Sequence, residues 1–395
     1  MFSLGVIETL ALAALAVAMG QGLRRWVPVL ARYDLPAPVL GGLVIAVIVS
    51  LARRDGQDLV RFDTALQTPL MIAFFTTIGF GASLRLLRIG GIQVAWFLAL
   101  ATVAVILQNL MGAGLAAAMG LPPLLGVLAG SVTLAGGPAT GLAFAPLFEQ
   151  AGVNGATVVA ITAAMGGIVM GGLFGGPVAG RIIARKQLRS DGGVRIAVAS
   201  ASEPEHRPGD SGGPLLRTVI LILLAMWIGG YLARGFSGLG ITLPAYIGAM
   251  LAAAVLRNIG DHQPLLHVPA QAMEDLGAVA LSLFIAMALM TLKLWELASL
   301  ALPLLVLLLA QAALLVLLCR VVFRLMGQDF DAAVMAGGFY GFMMGTTANA
   351  AANMQALTDR YRPAPRAFLV VPLVGAFFID FVNALLITAF LNLFG

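Results

Sequence analysis

Apolar residues run along this chain in long blocks that are separated by short polar or glycine-rich breaks. A helix needs roughly 20 apolar residues to cross the hydrocarbon layer of a membrane. By that measure the blocks predict spanning helices at about 3–21, 36–52, 66–84, 92–118, 155–179, 215–233, 241–256, 272–292, 297–323 and 367–393. The pattern therefore predicts an all-α polytopic membrane protein.

Two glycine-rich segments interrupt this pattern, at about 121–150 and about 329–358. In the second, Gly345-Thr346-Thr347 breaks an apolar run, and the residues that follow predict a short helix with Asn349 and Asn353 on one face. Broken backbone at membrane depth is tolerated only where protein or a water-filled cavity surrounds it. We interpret the segments as re-entrant hairpins, called hairpin 1 and hairpin 2, each between the fourth and fifth helix of its half.

The polar stretch 186–214 predicts a linker between two similar halves, 1–185 and 215–395. Three short matches recur about 208 residues apart: Leu35-Pro36-Ala37 with Leu243-Pro244-Ala245, Ser83–Leu86 with Thr291–Leu294, and Ala129-Gly130 and Thr140 with Ala336-Gly337 and Thr347. Because five spanning helices per half is an odd number, the two repeats must be inverted in the membrane. Inverted repeats with broken helices are typical of secondary transporters.

Charge supports this picture and orients it. Charged residues make up only 10% of the chain, against about 25% in soluble domains, so little of the chain lies outside the bilayer. Placing both termini outside, in the periplasm, puts 18 of the 23 Lys and Arg in cytoplasmic segments, including the linker. Hairpin 1 then enters from outside and hairpin 2 from the cytoplasm. Because basic loops account for the +5 net charge, we expect no nucleic-acid partner.

Each hairpin contains a glycine turn, then threonine, then a short helix. Thr140 in hairpin 1 and Thr346 or Thr347 in hairpin 2 fall near the start of that helix. A helix N-terminus exposes unpaired N–H groups and the positive end of the helix dipole, so it attracts anions. Two such ends suit a solute with one or two carboxylates. The alternative is that Gly and Thr simply allow close helix packing.

Asp380 is the one acidic residue deep in an apolar run, and Asn383 follows one turn later. Ionisable residues at membrane depth usually line an ion or substrate path. Together with Thr and Asn oxygens of hairpin 2, these two side chains predict a site for sodium or for a proton. A hydrogen bond between helices is the alternative for Asp380, and is the interpretation we favour for Gln108, Asn109 and Gln311.

Other classes of function find less support in the residues. An intramembrane enzyme needs a nucleophile–base pair, a metal cluster or paired acids. The three histidines fall in loops and Cys319 is the single cysteine, so we expect no catalytic residue and no cofactor. A passive channel is a further alternative, which uptake against a gradient would decide.

Four stretches carry a resemblance to a known family over nearly the whole chain. They are LPAPVLGGL (35–43), MIAFFTTIGFGASL (71–84), the two hairpin motifs with GGLFGGPVA (171–179), and ANMQALTDR with AFLVVPLVGAFFIDFVNAL (352–360 and 367–385). In these stretches the chain resembles the sodium/glutamate symporter family of bacteria.

The resemblance implies two inverted five-helix repeats with re-entrant loops, an elevator-type mechanism, a homodimer in the lipid of the inner membrane, and glutamate import coupled to sodium. The matching substrate positions are Gly136, Gly137, Thr140, Gly141, Gly345, Thr346, Thr347, Asn349 and Asn353, and the expected sodium ligands are Asp380, Asn383 and Thr347. The family usually has GGHGTG in hairpin 1, where this chain has Pro138 in place of the histidine. Transport of a different organic anion, or coupling to protons, is therefore the alternative.

Overall fold

The computed structural model of the chain describes residues 2–32, 35–52, 60–188, 213–238, 245–261, 268–292 and 300–394. Every predicted site residue falls in these ranges. Of the predicted linker, residues 189–212 lie outside the described residues.

Helices dominate the described residues. In chain order they are α1 (Val6–Trp26), α2 (Pro28–Arg32), α3 (Ala37–Ala52), α4 (Gln67–Gly81), α5 (Leu84–Ala118), α6 (Pro123–Val127), α7 (Gly137–Gln150), α8 (Ala156–Lys186), α9 (Gly213–Gly238), α10 (Ala245–Gly260), α11 (Ala270–Met290), α12 (Ala301–Leu325), α13 (Phe330–Met344), α14 (Thr347–Arg360), α15 (Pro365–Leu373) and α16 (Ile379–Phe394). Two π-helical turns, π1 (Leu128–Val132) and π2 (Val374–Phe378), follow α6 and α15.

The prediction of a helical, multi-pass membrane protein is confirmed. Within the described ranges, six helices are long and apolar enough to cross a membrane: Val6–Trp26, Gly91–Ala118, Ala156–Lys186, Gly213–Phe236, Ala270–Met290 and Ala301–Leu325. Other predicted spans correspond to shorter apolar helices, among them α3, α10 and α16. The full count of ten spans stays a prediction.

A small sheet is the exception to the predicted all-α fold. Strands β1 (Phe2–Leu4) and β2 (Val60–Phe62) pair in parallel, with Phe2 opposite Val60. The Asp63 N–H extends the pairing by donating to the Leu4 carbonyl at 3.2 Å. Strands of three residues leave no periodic pattern in the sequence, so this sheet is not predicted. It ties the start of α1 to the segment before α4.

The helices pack into two groups, and each group takes members from both halves of the chain. We call α1, α3, α4, α9, α10 and α11 the first bundle, and α5–α8 with α12–α16 the second bundle. Contacts between the bundles are sparser; in one of them the ring of Phe144 on α7 packs 5.2 Å from that of Tyr246 on α10. The first three long helices of each half therefore pack apart from the elements that carry the predicted site.

Glycines allow two close helix crossings in the first bundle. Gly20 of α1 lies directly against the Ala37 carbonyl of α3, and Gly248 of α10 lies directly against the Gly229 carbonyl of α9. A Cβ at either glycine would overlap the facing backbone. Small residues promote such approaches between membrane helices. The α1–α3 crossing in the first half thus has a counterpart at α9–α10 in the second.

The chain crosses from the first bundle to the second between α4 and α5. There the Leu84 N–H donates to Asn258 Oδ1 at 2.8 Å, and Asn258 Nδ2 donates to the Ala82 carbonyl at 2.9 Å. These bonds fasten the junction to the end of α10. A few residues later Gly91, at φ +67°, kinks α5, a conformation that favours glycine.

Helices α13 and α14 fold back on each other within the segment predicted as hairpin 2. Gly341 packs against Ala350, Gly338 against Met354, and Gly337 against Leu357. The partner number rises as the glycine number falls, so the two helices run antiparallel. In the segment predicted as hairpin 1, α6 and π1 precede a glycine turn and then α7.

Candidate functional site

The two breaks in the hairpin segments meet. Helix α7 begins at Gly137, whose φ of +68° is a left-handed conformation, and α14 begins just after Gly345. A Cβ placed on Gly137 would lie 3.8 Å from the Gly345 carbonyl oxygen. The structure therefore brings the starts of two short helices, from opposite halves of the chain, to one place.

Threonines define the second of these helix starts. Thr346 is the N-cap of α14, where its hydroxyl accepts a hydrogen bond from the Asn349 N–H at 3.3 Å. Thr347, the first helical residue, is exposed, and its methyl carbon would be 3.4 Å from a Cβ on Gly375 in π2. The predicted hairpin 2 threonines thus lie at the helix start and beside the last helical segment.

In the first half, the predicted residues pack closely. Thr140 is buried in the first turn of α7, and a Cβ on Gly136 would lie 2.6 Å from its Cβ. Gly141 faces α8, since a Cβ there would come 3.2 Å from the Cβ of Ala160. Gly136 and Gly141 allow close packing, whereas a Cβ on Gly137 would meet only the Gly345 carbonyl oxygen, at 3.8 Å, so both interpretations of the motif fit the geometry.

Asn349 and Asn353 hold α14 against α8. Asn349 Nδ2 donates to the Ile168 carbonyl at 2.7 Å, and Asn353 Nδ2 donates to the Gly171 carbonyl at 3.0 Å. Both side chains are buried. Gly175, one turn after Gly171, directly contacts the Asn353 amide, so a methyl group there would overlap it. The two asparagines act as positioning residues for α14.

The opposite face of α14 is exposed and has no large apolar side chain. It is formed by Thr347, Ala348, Ala351, Ala352 and Gln355. A surface that faces lipid would carry large apolar residues, as α12 does at Leu302, Leu305 and Leu309. The face of α14 is therefore suited to water, and it leads directly to the helix start at Thr347.

The last helix joins the site on the hairpin 1 side. Asn383 Nδ2 donates to the Ser131 carbonyl at 3.0 Å, and Ser131 Oγ donates to Asn383 Oδ1 at 2.7 Å. Asp380 lies one turn before Asn383 and is half-buried. In the part of the chain that the structure describes, no hydrogen bond or ion pair reaches its carboxylate. Asn383 of α16 thus contacts hairpin 1, whereas Thr347 of hairpin 2 approaches Gly375 in the preceding turn, π2.

Buried amides connect the fourth long helices of the two halves to the hairpins. Gln108 Nε2 donates to the Met343 carbonyl at 3.0 Å, Gln311 Nε2 donates to the Gln108 carbonyl at 2.8 Å, and Asn109 Oδ1 accepts from the Ser131 N–H at 3.1 Å. These are the interhelical hydrogen bonds that the sequence predicts for the three residues. Within the described residues, Gln108 Oε1 and Gln311 Oε1 are buried without a partner.

Three contributors to the site are not predicted from the sequence. Ser131 joins Asn109 to Asn383, and Gly171 and Gly175 receive the asparagines of hairpin 2. A signal for the glycines was present, because they are four apart on α8 just as Asn349 and Asn353 are four apart on α14. Ser131 left no such signal, since one serine in a glycine-rich segment is common in any helix contact.

Comparison with known proteins places this chain in a family. The sequence model for "Sodium/glutamate symporter" matches residues 2–363. The sodium/glutamate symporter of Escherichia coli K12 is 42% identical over 398 residues, covering 100% of this chain and 99% of that protein. The sodium/glutamate symporter of Haemophilus influenzae is 38% identical over 392 residues, covering 98% and 97%.

Among solved structures, the sodium proton antiporter MjNhaP1 of Methanocaldococcus jannaschii aligns over 98% of both chains with a TM-score of 0.45 and 14% identity, a likeness too low to show a shared fold. The sequence matches decide the question, because they extend over the whole chain at 38% to 42% identity. The chain belongs to the sodium/glutamate symporter family.

Proposed function

We propose that this protein imports L-glutamate, or a similar small carboxylate, together with sodium across the bacterial inner membrane. The observation that carries the proposal is the meeting of two helix starts at Gly137 and Gly345. Each start presents unpaired N–H groups and a positive dipole end, which attract carboxylates. The E. coli and H. influenzae relatives are named as symporters of sodium and glutamate. Family membership also confirms a transporter and not an enzyme.

In this proposal the substrate lies between the helix starts. Backbone N–H groups near Gly136, Gly137, Gly345 and Thr346, with the hydroxyl of Thr347, bind its carboxylates. Thr140 and Gly141 shape the start of α7. Asn349 and Asn353 hold the start of α14 in place through their bonds to α8. Pre-organised donors of this kind favour an anion without a cationic side chain.

Sodium binds near Asp380 in the same proposal. The carboxylate of Asp380 has no hydrogen-bond or ion-pair partner in the described part of the chain, and oxygen ligands suit a hard cation. Asn383 Oδ1 and the hydroxyl of Thr347 complete the proposed ligand set. Sodium there neutralises the acid and raises the affinity for the anion, and this coupling free energy is what symport requires.

The two bundles suggest an elevator-type transport mechanism. The first bundle is the proposed scaffold and forms the homodimer, while the second bundle carries the solute and moves. The matching glycine crossings at α1–α3 and α9–α10 support two repeats, which we place in the membrane with inverted orientation, re-entrant hairpins and a cytoplasmic linker. The aromatic contact of Phe144 with Tyr246 lies where the bundles would slide.

Uptake of labelled L-glutamate into proteoliposomes tests the proposal. An inward sodium gradient should drive accumulation above equilibrium, and a matched potassium gradient should not. Equilibration without accumulation would indicate a channel. Absence of any glutamate uptake in the presence of sodium would contradict glutamate as the substrate.

A second candidate function has the same fold but a different transported solute or a different coupling ion. Pro138 stands in the first turn of α7, where the family usually has histidine, so the residues beside the substrate differ. Competition of glutamate uptake by a panel of organic anions tests the cargo. Replacing the sodium gradient with a pH gradient tests the ion.

A further inference from the structure

A basic pocket lies between the C-terminal ends of α8 and α12, away from the hairpin tips. Its volume is about 490 Å³, and its lining combines cations with apolar walls. The cations are Arg181, Arg185, Lys186, Arg320 and Arg324. The apolar walls are Val178, Ile182, Val316 and Phe323. No acidic residue lines the described pocket.

Helix dipoles account for part of this cluster. Cations in the last turn of a helix interact favourably with its C-terminal carbonyls. Arg185, Lys186 and Arg324 fall in those last turns. Arg181 and Arg320 are more than a turn further in, so the dipole does not explain them. In the described part of the chain, neither of these two guanidinium groups forms an ion pair that would offset its charge.

An apolar stripe continues from the pocket along α12. Leu317, Val321 and Leu325 are exposed, and they recur every four residues beside Arg320 and Arg324. Where this surface faces the bilayer, the cations lie at one depth in the membrane, and the apolar side chains beside them can contact acyl chains. That is the pattern of a site for a lipid with an anionic head and acyl chains.

We propose that this pocket binds the head group of an acidic phospholipid in the cytoplasmic leaflet. Arg181 and Arg320 contact the phosphodiester from the two helices, Arg185, Lys186 and Arg324 surround it, and the acyl chains follow the α12 stripe. The proposal rests on the predicted topology, which puts this end of α8 and α12 on the cytoplasmic side. It requires neither glutamate nor sodium.

The lipid would join two helices that support the transport site. Helix α8 carries Gly171 and Gly175, which receive the asparagines of α14. Helix α12 carries Gln311, which bonds to Gln108 and through it to hairpin 2. Binding at their ends therefore stabilises the arrangement of both helices, so we expect acidic lipid to raise the unfolding temperature of the purified protein.

The test compares Arg181→Gln/Arg320→Gln with Arg85→Gln/Arg88→Gln in the full-length protein. The control pair removes the same charge from exposed arginines at the start of α5, which the topology also places in the cytoplasm. Short-chain phosphatidylglycerol is titrated while bound lipid is counted by native mass spectrometry and unfolding is followed by heat. Each surface cation contributes about 1 kcal/mol, so the first pair should bind the lipid roughly thirtyfold more weakly. The control should bind as the parent does.

Two additional titrations identify the source of the anion. Phosphatidylcholine of the same chain length tests the need for acidic charge, and inorganic phosphate tests the need for acyl chains. We expect neither to stabilise the parent protein. Equal weakening in both variants, no binding of phosphatidylglycerol to the parent, or equal stabilisation by phosphate would overturn the proposal. None of these readouts depends on glutamate uptake, so the transport proposal fails or holds separately.

Discussion

The helices that follow the two breaks differ in how they are packed. Helix α7 of hairpin 1 is buried from Gly137 to Ala145, whereas α14 of hairpin 2 buries one face and exposes the other from Thr347 to Gln355. Two short helices that begin at one place therefore have different access to the outside of the protein. The site is closed along hairpin 1 and open along hairpin 2. Under the predicted topology, which places hairpin 2 on the cytoplasmic side, this arrangement corresponds to the inward-facing state of the proposed transporter.

The anchors of the hairpins differ in the same way. Hairpin 1 is bonded to the last helix by the Ser131–Asn383 pair, with two hydrogen bonds between the same residues. Helix α14 rests on two single bonds, from Asn349 and Asn353 to carbonyls of α8. Each is an amide–carbonyl bond of modest net strength. Both anchors contain two hydrogen bonds, but hairpin 1 is held by one residue pair and hairpin 2 by two separate side chains. In the proposed mechanism hairpin 1 holds the cation side of the site.

Replacement of Asp380 by Asn tests the cation side and should have the largest effect. The substitution keeps the shape and removes the charge that attracts sodium. Loss of one partner from a buried charge pair costs roughly 3–5 kcal/mol, so sodium-driven uptake should fall about a hundredfold or more. Initial rates of uptake over a range of sodium concentrations measure it.

Asp275→Asn on the exposed start of α11 is the matched control, because it removes one acid without touching the site. It should transport as the parent does, and the amount of inserted protein should be equal for both. Unchanged sodium dependence in the Asp380 variant would refute the proposed role.

A methyl group at Gly175 should disturb hairpin 2 next most strongly. A Cβ there would overlap the Asn353 amide, whereas a Cβ at Gly172 would meet nothing within 4 Å. Overpacking of this kind costs roughly 1–3 kcal/mol. Gly175→Ala should therefore lower the unfolding temperature and reduce uptake about tenfold, while Gly172→Ala on the same helix should match the parent. Equal behaviour of the two variants would show that the α8–α14 contact is unimportant.

Much of this arrangement could be predicted from the sequence, because it depends on local pattern. Long apolar blocks predict helices, and the breaks at Gly136-Gly137 and Gly345 mark where backbone must leave the helix. The sequence predicts interhelical hydrogen bonds for Gln108 and Gln311, since a polar group in an apolar block needs a partner. Each of these sequence patterns lies within one segment and can be recognised without knowing which other segments pack against it.

Contacts between distant segments could not be predicted in the same way. The bond from Asn353 to Gly171 joins residues 182 apart, and the Ser131–Asn383 pair joins residues 252 apart. Which faces meet depends on packing over the whole fold. The sequence therefore predicted Asn383 together with hairpin 2 oxygens, while the structure shows it bonded to hairpin 1. Its role in binding sodium stays a prediction.

Truncation of Asn353 sharpens the contrast between the two faces of α14. Asn353→Ala removes the side-chain hydrogen bond to the Gly171 carbonyl of α8, at a net cost of about 0.5–1.5 kcal/mol. Gln355→Ala, on the exposed face, should cost less than about 0.5 kcal/mol. Thermal unfolding and glutamate affinity should both change in the first variant and neither in the second. A larger loss of affinity in Gln355→Ala would mean that the exposed face itself binds substrate.

The smallest expected effect concerns the anchor of hairpin 1. Ser131→Ala and Asn383→Ala each remove a partner of the same pair, so the double variant should be less destabilised than the sum of the single ones. The difference, measured as unfolding free energy in a double-mutant cycle, should be about 1 kcal/mol.

Sodium affinity provides a second readout for the Ser131–Asn383 pair. If hairpin 1 holds the cation side, Ser131→Ala should weaken sodium binding severalfold, because it removes the hydroxyl that donates to Asn383 Oδ1 and leaves only the bond to the Ser131 carbonyl. Asn353→Ala should leave sodium binding nearly unchanged. The opposite result would place the cation with hairpin 2 and reverse the roles assigned to the two hairpins.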